Sequence, residues 1–411
     1  MLICVVVLMS NNVGKLLRNE WRLVRIAGEA RFVVFHDGEK VVKSYFISTA
    51  PVRGFERLVL GKNPIFVVEA IMRICGLCHA AHGIASAEAF EHALGMVPPR
   101  NGLLLREAAG LANRIQSHLL HLTLITRDLI KYEHYINLLY KVLALVEHSS
   151  AILTRLAGTP THPRNITLGG MVREPPQAAI NEVKRRLAVL TTEYGKLMEV
   201  LLDEDKWCEK ALILKKVVKH FKKLASHLFY GGRYNIDVTK VKVLNPWEYY
   251  AEGKDIVKDS TSRIALYGEE RVEVGPRSRL ETYMYFKDDT LIGAQIARLK
   301  ECSLIIERLK EIIEELTPGA PVRSYEIVYR AGRGVGVYEA PRGTLIHYVE
   351  LDSEGRVRNY SIVVPTMFNI PIMEEASAGI PKDVATVIPR LYDPCIPCST
   401  HLIHINEVIK R

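Results

Sequence analysis

The sequence lacks the features that mark membrane proteins and secreted disulfide-rich domains. Its longest apolar run, MLICVVVLM over residues 1–9, is less than half of the about 20 residues that a helix needs to cross a membrane. The run also lacks the basic start and the small-residue cleavage site of a signal peptide. Only seven of the 411 residues are cysteine, too few and too unevenly spaced for a disulfide framework. We therefore expect a cytoplasmic protein without a membrane span.

The charge distribution does not indicate a nucleic-acid-binding protein. The 55 lysines and arginines exceed the 46 aspartates and glutamates and give a formal net charge of +9. The basic residues are scattered, however, and no basic stripe interleaved with aromatic residues is present, so we expect no nucleic-acid partner. A hydrophobic content of 48% is sufficient for a large core, and no low-complexity linker divides the chain. We expect a single domain over residues 1–411.

Apolar periodicity predicts a mainly helical chain with small sheets. Alternation over residues 21–48, with HDGE at 36–39, predicts a hairpin. Three-four spacing predicts long helices at 65–94, 101–132, 135–157, one or two within 176–229, and 288–316. Residues 321–364 contain four segments typical of strands, RSYEIVY, GVGVYEA, GTLIHYVEL and RVRNYSIVV. The predicted fold class is α+β, with a core of long packed helices and small peripheral β-sheets.

Four of the seven cysteines form two C-x-x-C pairs, Cys75 with Cys78 and Cys395 with Cys398. Such a pair places two thiolates close enough to bind one metal ion, and two pairs supply four sulfur ligands. Taken alone, a C-x-x-C pair is typical of a structural zinc site or a redox pair. Zinc ribbons usually keep their halves within a few tens of residues, whereas these pairs lie near opposite ends of the chain. A redox pair follows a strand in a β-α-β unit, and neither pair has that setting.

The residues around both pairs extend them into longer motifs. The first motif is RICGLCHAAH at 73–82, and the second is DPCIPCSTH at 393–401. They resemble the motifs R-x-C-G-x-C-x-x-x-H and D-P-C-x-x-C-x-x-H of the large subunit of nickel-iron hydrogenases. The resemblance extends over most of the chain through the blocks RGFERLVLGKNP (53–64), THPRNITLGG (161–170), YEAPRGTLIHYV (338–349) and VVPTMFN (363–369). The QSH at 116–118 resembles the sequence found at this place in the cytoplasmic bidirectional branch of the family. Members of that branch couple H2 oxidation to coenzyme F420, NAD(P) or another acceptor.

The resemblance implies that the cysteines hold nickel and iron. Cys75 and Cys395, the first of each pair, would bind nickel alone, while Cys78 and Cys398 would bridge nickel to iron. The iron would carry CO and two CN ligands, which need hydrogen-bond donors on a mostly apolar wall. Four thiolates suit such a soft bimetallic site, because they leave coordination positions for the substrate.

The resemblance also implies roles for residues around the metals. Arg342 and Thr366 would donate hydrogen bonds to cyanide, and Pro341 and Leu345 would pack the apolar wall. Arg342 would lie near the nickel with Asp393 as its partner, where a fixed guanidinium assists heterolytic cleavage of H2. In isolation, Arg342 is equally typical of a surface ion pair.

A second metal site and a removable tail are also implied. Glu56, His401 and the backbone carbonyl of Ile362 would hold magnesium, or iron, and a carboxylate ligand favours magnesium. His401 is also where the family's maturation protease cuts, so residues 402–411 (LIHINEVIKR) would form a cleavable tail. His82 would donate a hydrogen bond to a bridging sulfur, although a histidine at such a position is also typical of a core residue bonded to backbone.

One family residue is missing near the N-terminus. The family carries R-[IV]-E-G-H there, and its glutamate relays protons beside a nickel thiolate. The matching residues here are Arg25-Ile26-Ala27-Gly28-Glu29, and Ala27 cannot carry a proton. Glu29, two residues along a strand, is expected to face the same side as position 27 and is the candidate substitute. Otherwise the proton takes another route, or turnover is impaired.

The implied function is that of the catalytic subunit of a cytoplasmic nickel-iron hydrogenase, which interconverts H2 with protons and electrons. Because the four clustered cysteines already bind nickel and iron in this interpretation, electrons would leave through an iron-sulfur small subunit. From there they would pass to further electron-acceptor subunits. A maturation protease and nickel-insertion proteins would be additional partners.

Two other functions remain open from the sequence. The first is a non-catalytic electron-transfer scaffold related to the quinone-site subunit of respiratory complex I, which shares the hydrogenase fold. Those relatives lack the cysteine ligands, but the loss at Ala27 favours this alternative. The second is a structural zinc protein.

Overall fold

The computed structural model describes residues 3–5, 16–230 and 236–400. His401 and the segment 402–411 lie outside the described residues. The α-helices are α1 (Phe55–Leu58), α2 (Pro64–Ile71), α3 (His79–Leu94), α4 (Arg100–Leu129), α5 (Tyr132–Ala157), α6 (Gln177–Leu202), α7 (Glu209–Lys216), α8 (Pro246–Tyr249), α9 (Lys254–Val257), α10 (Pro276–Met284), α11 (Gly293–Glu315), α12 (Pro365–Ser377), α13 (Val387–Leu391) and α14 (Ile396–Ser399). Short 3-10 turns cover Met72–Ile74, Glu204–Lys206 and Val238–Lys240.

The strands are β1 (Ile3–Val5), β2 (Leu17–Arg22), β3 (Ala30–His36), β4 (Val41–Ser48), β5 (Ile166–Thr167), β6 (Gly170–Met171), β7 (Lys222–Lys223), β8 (Val241–Leu244), β9 (Ile264–Tyr267), β10 (Val272–Glu273), β11 (Gly332–Ala340), β12 (Gly343–Leu351) and β13 (Val357–Val363). Strands β1 to β4 form an antiparallel sheet in chain order, and β11 to β13 form a second one. The remaining pairs are β5 with β6, β8 with β9, and β7 with β10.

Long helices form the centre of the molecule. Helices α4, α5, α6 and α11 pack against one another, with α4 in contact with both α5 and α11. Helix α6 shows why these segments are helical, because its buried residues recur at three-four spacing and form one apolar face: Val183, Leu187, Leu190, Tyr194, Leu197 and Leu201. The mainly helical α+β architecture with small sheets is confirmed.

Helix α5 is long and apolar enough to cross a membrane by length and composition, and it is the one helix of that kind among the described residues. Its inner face, including Leu138, Val142 and Leu145, is buried where the helix packs on α4 and α6. Its outer face exposes Tyr132 and Tyr140. A single helix of this kind is weak evidence for a membrane, because core helices have the same length and composition.

Helix α3 packs very closely on strand β11, and this contact positions the first cysteine pair. The helix sequence, HAAHGIASAEAFEHAL, is rich in alanine. A Cβ at Gly334 would lie 1.9 Å from the Ala89 carbonyl oxygen, and a Cβ at Gly336 would lie 1.9 Å from that of Ala85. Only glycine permits this approach of helix to strand. Because α3 begins directly after Cys78, the contact fixes the end of the C-x-x-C segment.

The structure differs from the predicted elements in two places. The predicted helix at 65–94 is divided into α2 and α3, because the chain is extended at Cys75, with φ −144° and ψ 137°. The segment RSYEIVY forms no strand within the described residues, and Tyr325 and Val328 are exposed there. Strand propensity alone does not form a strand where no neighbouring strand supplies hydrogen bonds. The hairpin around HDGE is confirmed as β3 and β4, paired antiparallel.

Candidate metal centre

The two cysteine pairs converge, as predicted, at one buried point. The four sulfur atoms all lie within 4.8 Å of one another. Sγ–Sγ distances are 3.2 Å between Cys75 and Cys395, 3.1 Å between Cys78 and Cys398, and 3.1 Å between Cys395 and Cys398. Each cysteine is at most 5% exposed. The cluster therefore offers four sulfur ligands shielded from water.

Helix starts and backbone hydrogen bonds position the two cysteine segments. Cys78 is the N-cap of α3, and Cys395 is the N-cap of α14. The Cys395 amide donates a 3.0 Å hydrogen bond to the hydroxyl of Thr366, at the start of α12. The next amide, that of Ile396, donates a 2.8 Å hydrogen bond to the carbonyl of Ala27. The second pair is thus attached at its start to two distant parts of the chain.

Four sulfur atoms this close together repel one another when they are ionised, and a bound metal cation offsets that repulsion. Hydrogen bonds from the neighbouring thiols hold the pKa of Cys75 well below its ordinary value. Hydrogen bonding with Cys395 raises the pKa of Cys78, and burial raises that of Cys398. Cys78 and Cys398 are therefore held protonated beside Cys75 unless positive charge enters the cluster. Bound metal cations supply that charge, so the donor set fits a thiolate-ligated metal centre.

Arg342 lies at the tip of a hairpin that places it next to the cluster. Ala340 pairs with Gly343 across β11 and β12, so Pro341 and Arg342 form a two-residue turn. The Arg342 guanidinium donates from Nε to the Asp393 carbonyl at 2.6 Å, and its Nη2 lies 2.9 Å from the Asp393 carboxylate. Both side chains are only 4% exposed. This arrangement is a buried ion pair rather than a surface pair.

Asp393 has further partners that fix its charge. Burial alone would raise the pKa of the carboxyl, but Arg342 and His121 hold it below its ordinary value. The Nδ1 atom of His121 lies 3.3 Å from the Asp393 carboxylate, and Arg342 Nη1 donates to the hydroxyl of Ser117 at 3.2 Å. Sequence reasoning missed Ser117 and His121 as site residues, although the QSH motif pointed to this turn of α4.

A narrow cavity borders three of the cysteines. Its apolar lining includes Ala340, Leu345 and Val364, and its polar lining includes Arg342 and Thr366. The Thr366 oxygen already accepts the Cys395 amide, which leaves the hydroxyl proton to donate elsewhere. The cavity thus combines hydrogen-bond donors with an apolar wall.

Pro341 lies between the cavity-lining residues Ala340 and Arg342. It is buried in the turn, where its carbonyl accepts a 3.1 Å hydrogen bond from Arg279, but it is not among the residues that line the cavity. It shapes the turn that carries Arg342.

His82 starts a chain of hydrogen-bonding side chains. Its Nε2 atom lies 3.5 Å from the sulfur of Cys398, and its Nδ1 atom lies 3.1 Å from Nε2 of His347. His347 in turn lies 2.8 Å from the hydroxyl of Tyr360, which donates to Ser86 at 2.8 Å. His82 thus lies at hydrogen-bond distance from a sulfur of the cluster. His347 and Tyr360 were not predicted, although His347 belongs to a block that resembles the family.

The residues expected at a second metal site lie on neighbouring elements. Glu56 is buried on α1, and α1 packs against β13, which carries the fully buried Ile362. Burial lowers the pKa of Arg263, and the nearby Glu56 carboxylate opposes that shift. Burial raises the pKa of Tyr360, and the charge of Glu56 adds to the increase. His401 lies outside the described residues.

Position 27 lies at the cluster, but Glu29 does not, which corrects one expectation. Ala27 forms a parallel β-bridge with Cys395. Gly28 has φ +101°, so the chain turns between positions 27 and 29 and their side chains do not share a strand face. The Glu29 side chain is 58% exposed and lies 3.3 Å from Arg22 in a surface ion pair. Glu29 is therefore not placed to replace the missing carboxylate.

Comparisons with known proteins agree with this site. The family model described as nickel-dependent hydrogenase matches residues 53–126 and 285–401. The coenzyme F420 hydrogenase subunit alpha of Methanocaldococcus jannaschii is 35% identical over 400 residues, covering 94% of each chain. The subunit of the same name from Methanothermobacter thermautotrophicus is 33% identical over 387 residues, covering 93% of this chain and 94% of that protein.

Solved structures agree on the fold. The nickel-iron-selenium hydrogenase of Desulfomicrobium baculatum, in a reduced, active form, superimposes with a TM-score of 0.81 at 22% identity, covering 93% of this chain and all of that chain. The nickel-iron-selenium hydrogenase of Desulfovibrio vulgaris Hildenborough, in a variant with threonine in place of one glycine, superimposes with a TM-score of 0.80 at 22% identity. The match covers 93% of this chain and 99% of that chain.

The family match, the similar alpha subunits and the site together define a hydrogenase large subunit with a four-cysteine metal centre. The chain belongs to the nickel-dependent hydrogenase family. It is thus an oxidoreductase that acts on H2. The alternative of a scaffold related to complex I is not favoured, because all four cysteines are present and their sulfurs converge.

Proposed function

We propose that the cysteine cluster holds one nickel and one iron ion. Cys75 and Cys395 would hold the nickel ion alone, and Cys78 and Cys398 would be ligands shared by nickel and iron. The observation that carries this proposal is the placement of four buried sulfurs beside the Arg342–Asp393 ion pair. A structural zinc site needs the four thiolates but has no need of a fixed guanidinium and an adjoining cavity.

The proposal includes CO and two CN ligands on the iron, which the cavity beside Cys398 would hold. The Arg342 guanidinium and the Thr366 hydroxyl are the donors available to the cyanides, and Leu345 forms part of the apolar wall. Pro341 holds the turn of Arg342. When bound, the metal pair supplies Lewis acidity and open coordination positions for H2.

The protein side chains orient and hold charge in this proposal. Arg342 is fixed by Asp393 and Ser117, so its positive charge has one position beside the cluster. A cation that is already in place stabilises the negative charge that develops during heterolytic cleavage of H2, because the side chain does not have to move. His82, at hydrogen-bond distance from Cys398, adjusts the electron density of that sulfur.

The second metal site and the tail are part of the same proposal. Glu56, His401 and the Ile362 carbonyl hold magnesium or iron, which is consistent with Glu56 and Ile362 being buried on packed elements. Residues 402–411 are then removed by a maturation protease after nickel insertion by dedicated proteins. The remaining chain forms one domain.

The proposed partners are an iron-sulfur small subunit and an electron-acceptor subunit. Each of the four clustered cysteines is a metal ligand in this proposal, so electrons need another carrier. The relatives named as coenzyme F420 hydrogenases indicate a deazaflavin acceptor. A reaction with a diffusible coenzyme takes place where the coenzyme pool is, and we therefore propose a cytoplasmic enzyme.

Exchange of H2 with D+ tests the function, because it needs the metal site but no electron acceptor. We expect the complex purified from its native host to form HD from H2 in D2O. A complex that contains nickel and iron yet forms no HD would disprove the catalytic proposal. Reduction of F420 and of a viologen dye by H2, measured in parallel, tests the acceptor. Reduction of the dye alone would refute the deazaflavin F420 as the acceptor but would leave the proposed hydrogenase activity intact.

A further inference from the structure

Arg53 contacts both cysteine segments from outside the cluster. One guanidinium nitrogen, Nη2, donates hydrogen bonds to the backbone carbonyls of Ile74 and Pro397. Ile74 directly precedes Cys75, and Pro397 directly precedes Cys398. One side chain therefore joins the chain just before a cysteine of each pair.

The backbone of Arg53 makes a third contact. Its amide donates a 3.0 Å hydrogen bond to the carbonyl of Thr400, two residues after Cys398. Arg53 thus holds the chain on both sides of Cys398. The hydroxyls of Ser399 and Thr400, by contrast, donate to the carbonyl of Ile396 within the same segment.

Two other backbone hydrogen bonds attach the second segment to distant parts of the chain, and both lie at its beginning. The hydroxyl of Thr366 accepts the amide of Cys395, and the carbonyl of Ala27 accepts that of Ile396. Neither of these bonds reaches the chain around Cys398. Among the described residues, Arg53 therefore ties the backbone at the end of the segment to the first cysteine segment, in addition to the contacts that the Cys398 sulfur makes with Cys78 and His82.

The guanidinium is positioned in advance for this role. Its Cζ atom lies 5.1 Å from the centroid of the Phe55 ring, a cation–π distance that limits its movement. The residue is exposed, so it fills no space in the core. The planar guanidinium holds the two N–H bonds of Nη2 in fixed directions, whereas the lysine ammonium is a point charge on a flexible stem.

We propose that Arg53 is a positioning residue that clamps Cys398 against the first cysteine pair and thereby retains the metals. The inference deepens the proposed function, and it rests on that function only for the identity of the metals. The hydrogen bonds that form the clamp belong to the polypeptide itself.

Hydrogen–deuterium exchange of the purified complex tests this proposal with variants Arg53→Ala and Arg53→Lys. Arg57→Ala is the matched control, because Arg57 is an exposed arginine on the adjoining helix α1. In Arg53→Ala, we expect amides of 395–400 to exchange at least about tenfold faster, because local opening is no longer restrained. Arg53→Lys should show a smaller increase, and Arg57→Ala should match the parent. After dialysis against a chelator, Arg53→Ala should retain the least nickel, Arg53→Lys should retain more, and Arg57→Ala should retain as much as the parent.

Two results would overturn the clamp. The first is exchange of 395–400 in Arg53→Ala at the parent rate. The second is an equal increase in peptides from α4, which would show general loosening instead of local release. If the parent complex contains zinc in place of nickel, the proposed function is wrong, whereas the exchange comparison still decides the role of Arg53.

Discussion

Ala27 lies directly beside Cys395: the two residues form a parallel β-bridge, and the Ala27 carbonyl accepts the Ile396 amide at 2.8 Å. A side chain at position 27 therefore extends from a backbone that is attached to a cysteine of the cluster. The resemblance to nickel-iron hydrogenases implies a proton-relaying glutamate at this position, and here the methyl group of alanine provides no acid or base.

Restoring that carboxylate should restore a proton acceptor. We expect Ala27→Glu to leave the nickel content unchanged and to raise, or at least not lower, the rate of H2/D+ exchange. Glu29→Gln is the control, and it should exchange at the parent rate because the Glu29 carboxylate lies in an exposed pair with Arg22. Strongly slowed exchange in Glu29→Gln would show that protons do pass through Glu29.

Gly28→Ala should weaken the metal centre. A Cβ at Gly28 would lie 2.6 Å from the Cβ of Ile396, so the second cysteine segment must shift. Gly38→Ala is the matched control, since Gly38 also has a positive φ, +114°, but its Cβ would meet nothing within 4 Å. We expect less bound nickel in Gly28→Ala, measured by elemental analysis, and a parent-like content in Gly38→Ala. Equal nickel contents in both variants would contradict the close packing.

Arg342→Lys should slow catalysis without emptying the site. Lysine cannot reproduce the bonds of Arg342 to both the carbonyl and the carboxylate of Asp393. We expect H2/D+ exchange to decrease about 100- to 1,000-fold, the usual cost of removing a fixed electrostatic group. Arg333→Lys, at an exposed position of the same hairpin, should behave as the parent. Parent-like exchange in Arg342→Lys at full nickel content would remove Arg342 from the mechanism.

Glu374 should make stability depend on pH. Burial raises its pKa to about 8, although Tyr250 and the Phe46 amide donate hydrogen bonds to it and Arg271 and Lys43 lie nearby. The folded state therefore binds more protons than the unfolded state between pH values of about 4.5 and about 8. The stability contributed by this group is complete below that window and is lost as pH rises through it.

Glu374→Gln, which stays neutral, tests this dependence. Its melting temperature should lie near that of the parent at about pH 5 and above it at about pH 9. Scanning calorimetry of both proteins measures the difference. The same difference at both pH values would show that Glu374 does not titrate in this window.

The local features of the fold were predictable from the sequence. Apolar periodicity located the long helices, the two C-x-x-C pairs indicated four sulfur ligands, and the resemblance to nickel-iron hydrogenases pointed to Arg342 and Asp393. Glu29 was misplaced because strand alternation assumes an uninterrupted strand, and the positive φ of Gly28 interrupts it. The roles of Ser117 and Arg53 depend on contacts with chain segments far away in sequence, which no local pattern records.

Nickel content tests the central claim most directly. Elemental analysis by mass spectrometry of the complex purified from its native host should find about one nickel per large subunit, bound together with iron, as a four-thiolate bimetallic site requires. Zinc in a similar amount, without nickel, would contradict the hydrogenase assignment and leave a structural metal site in its place.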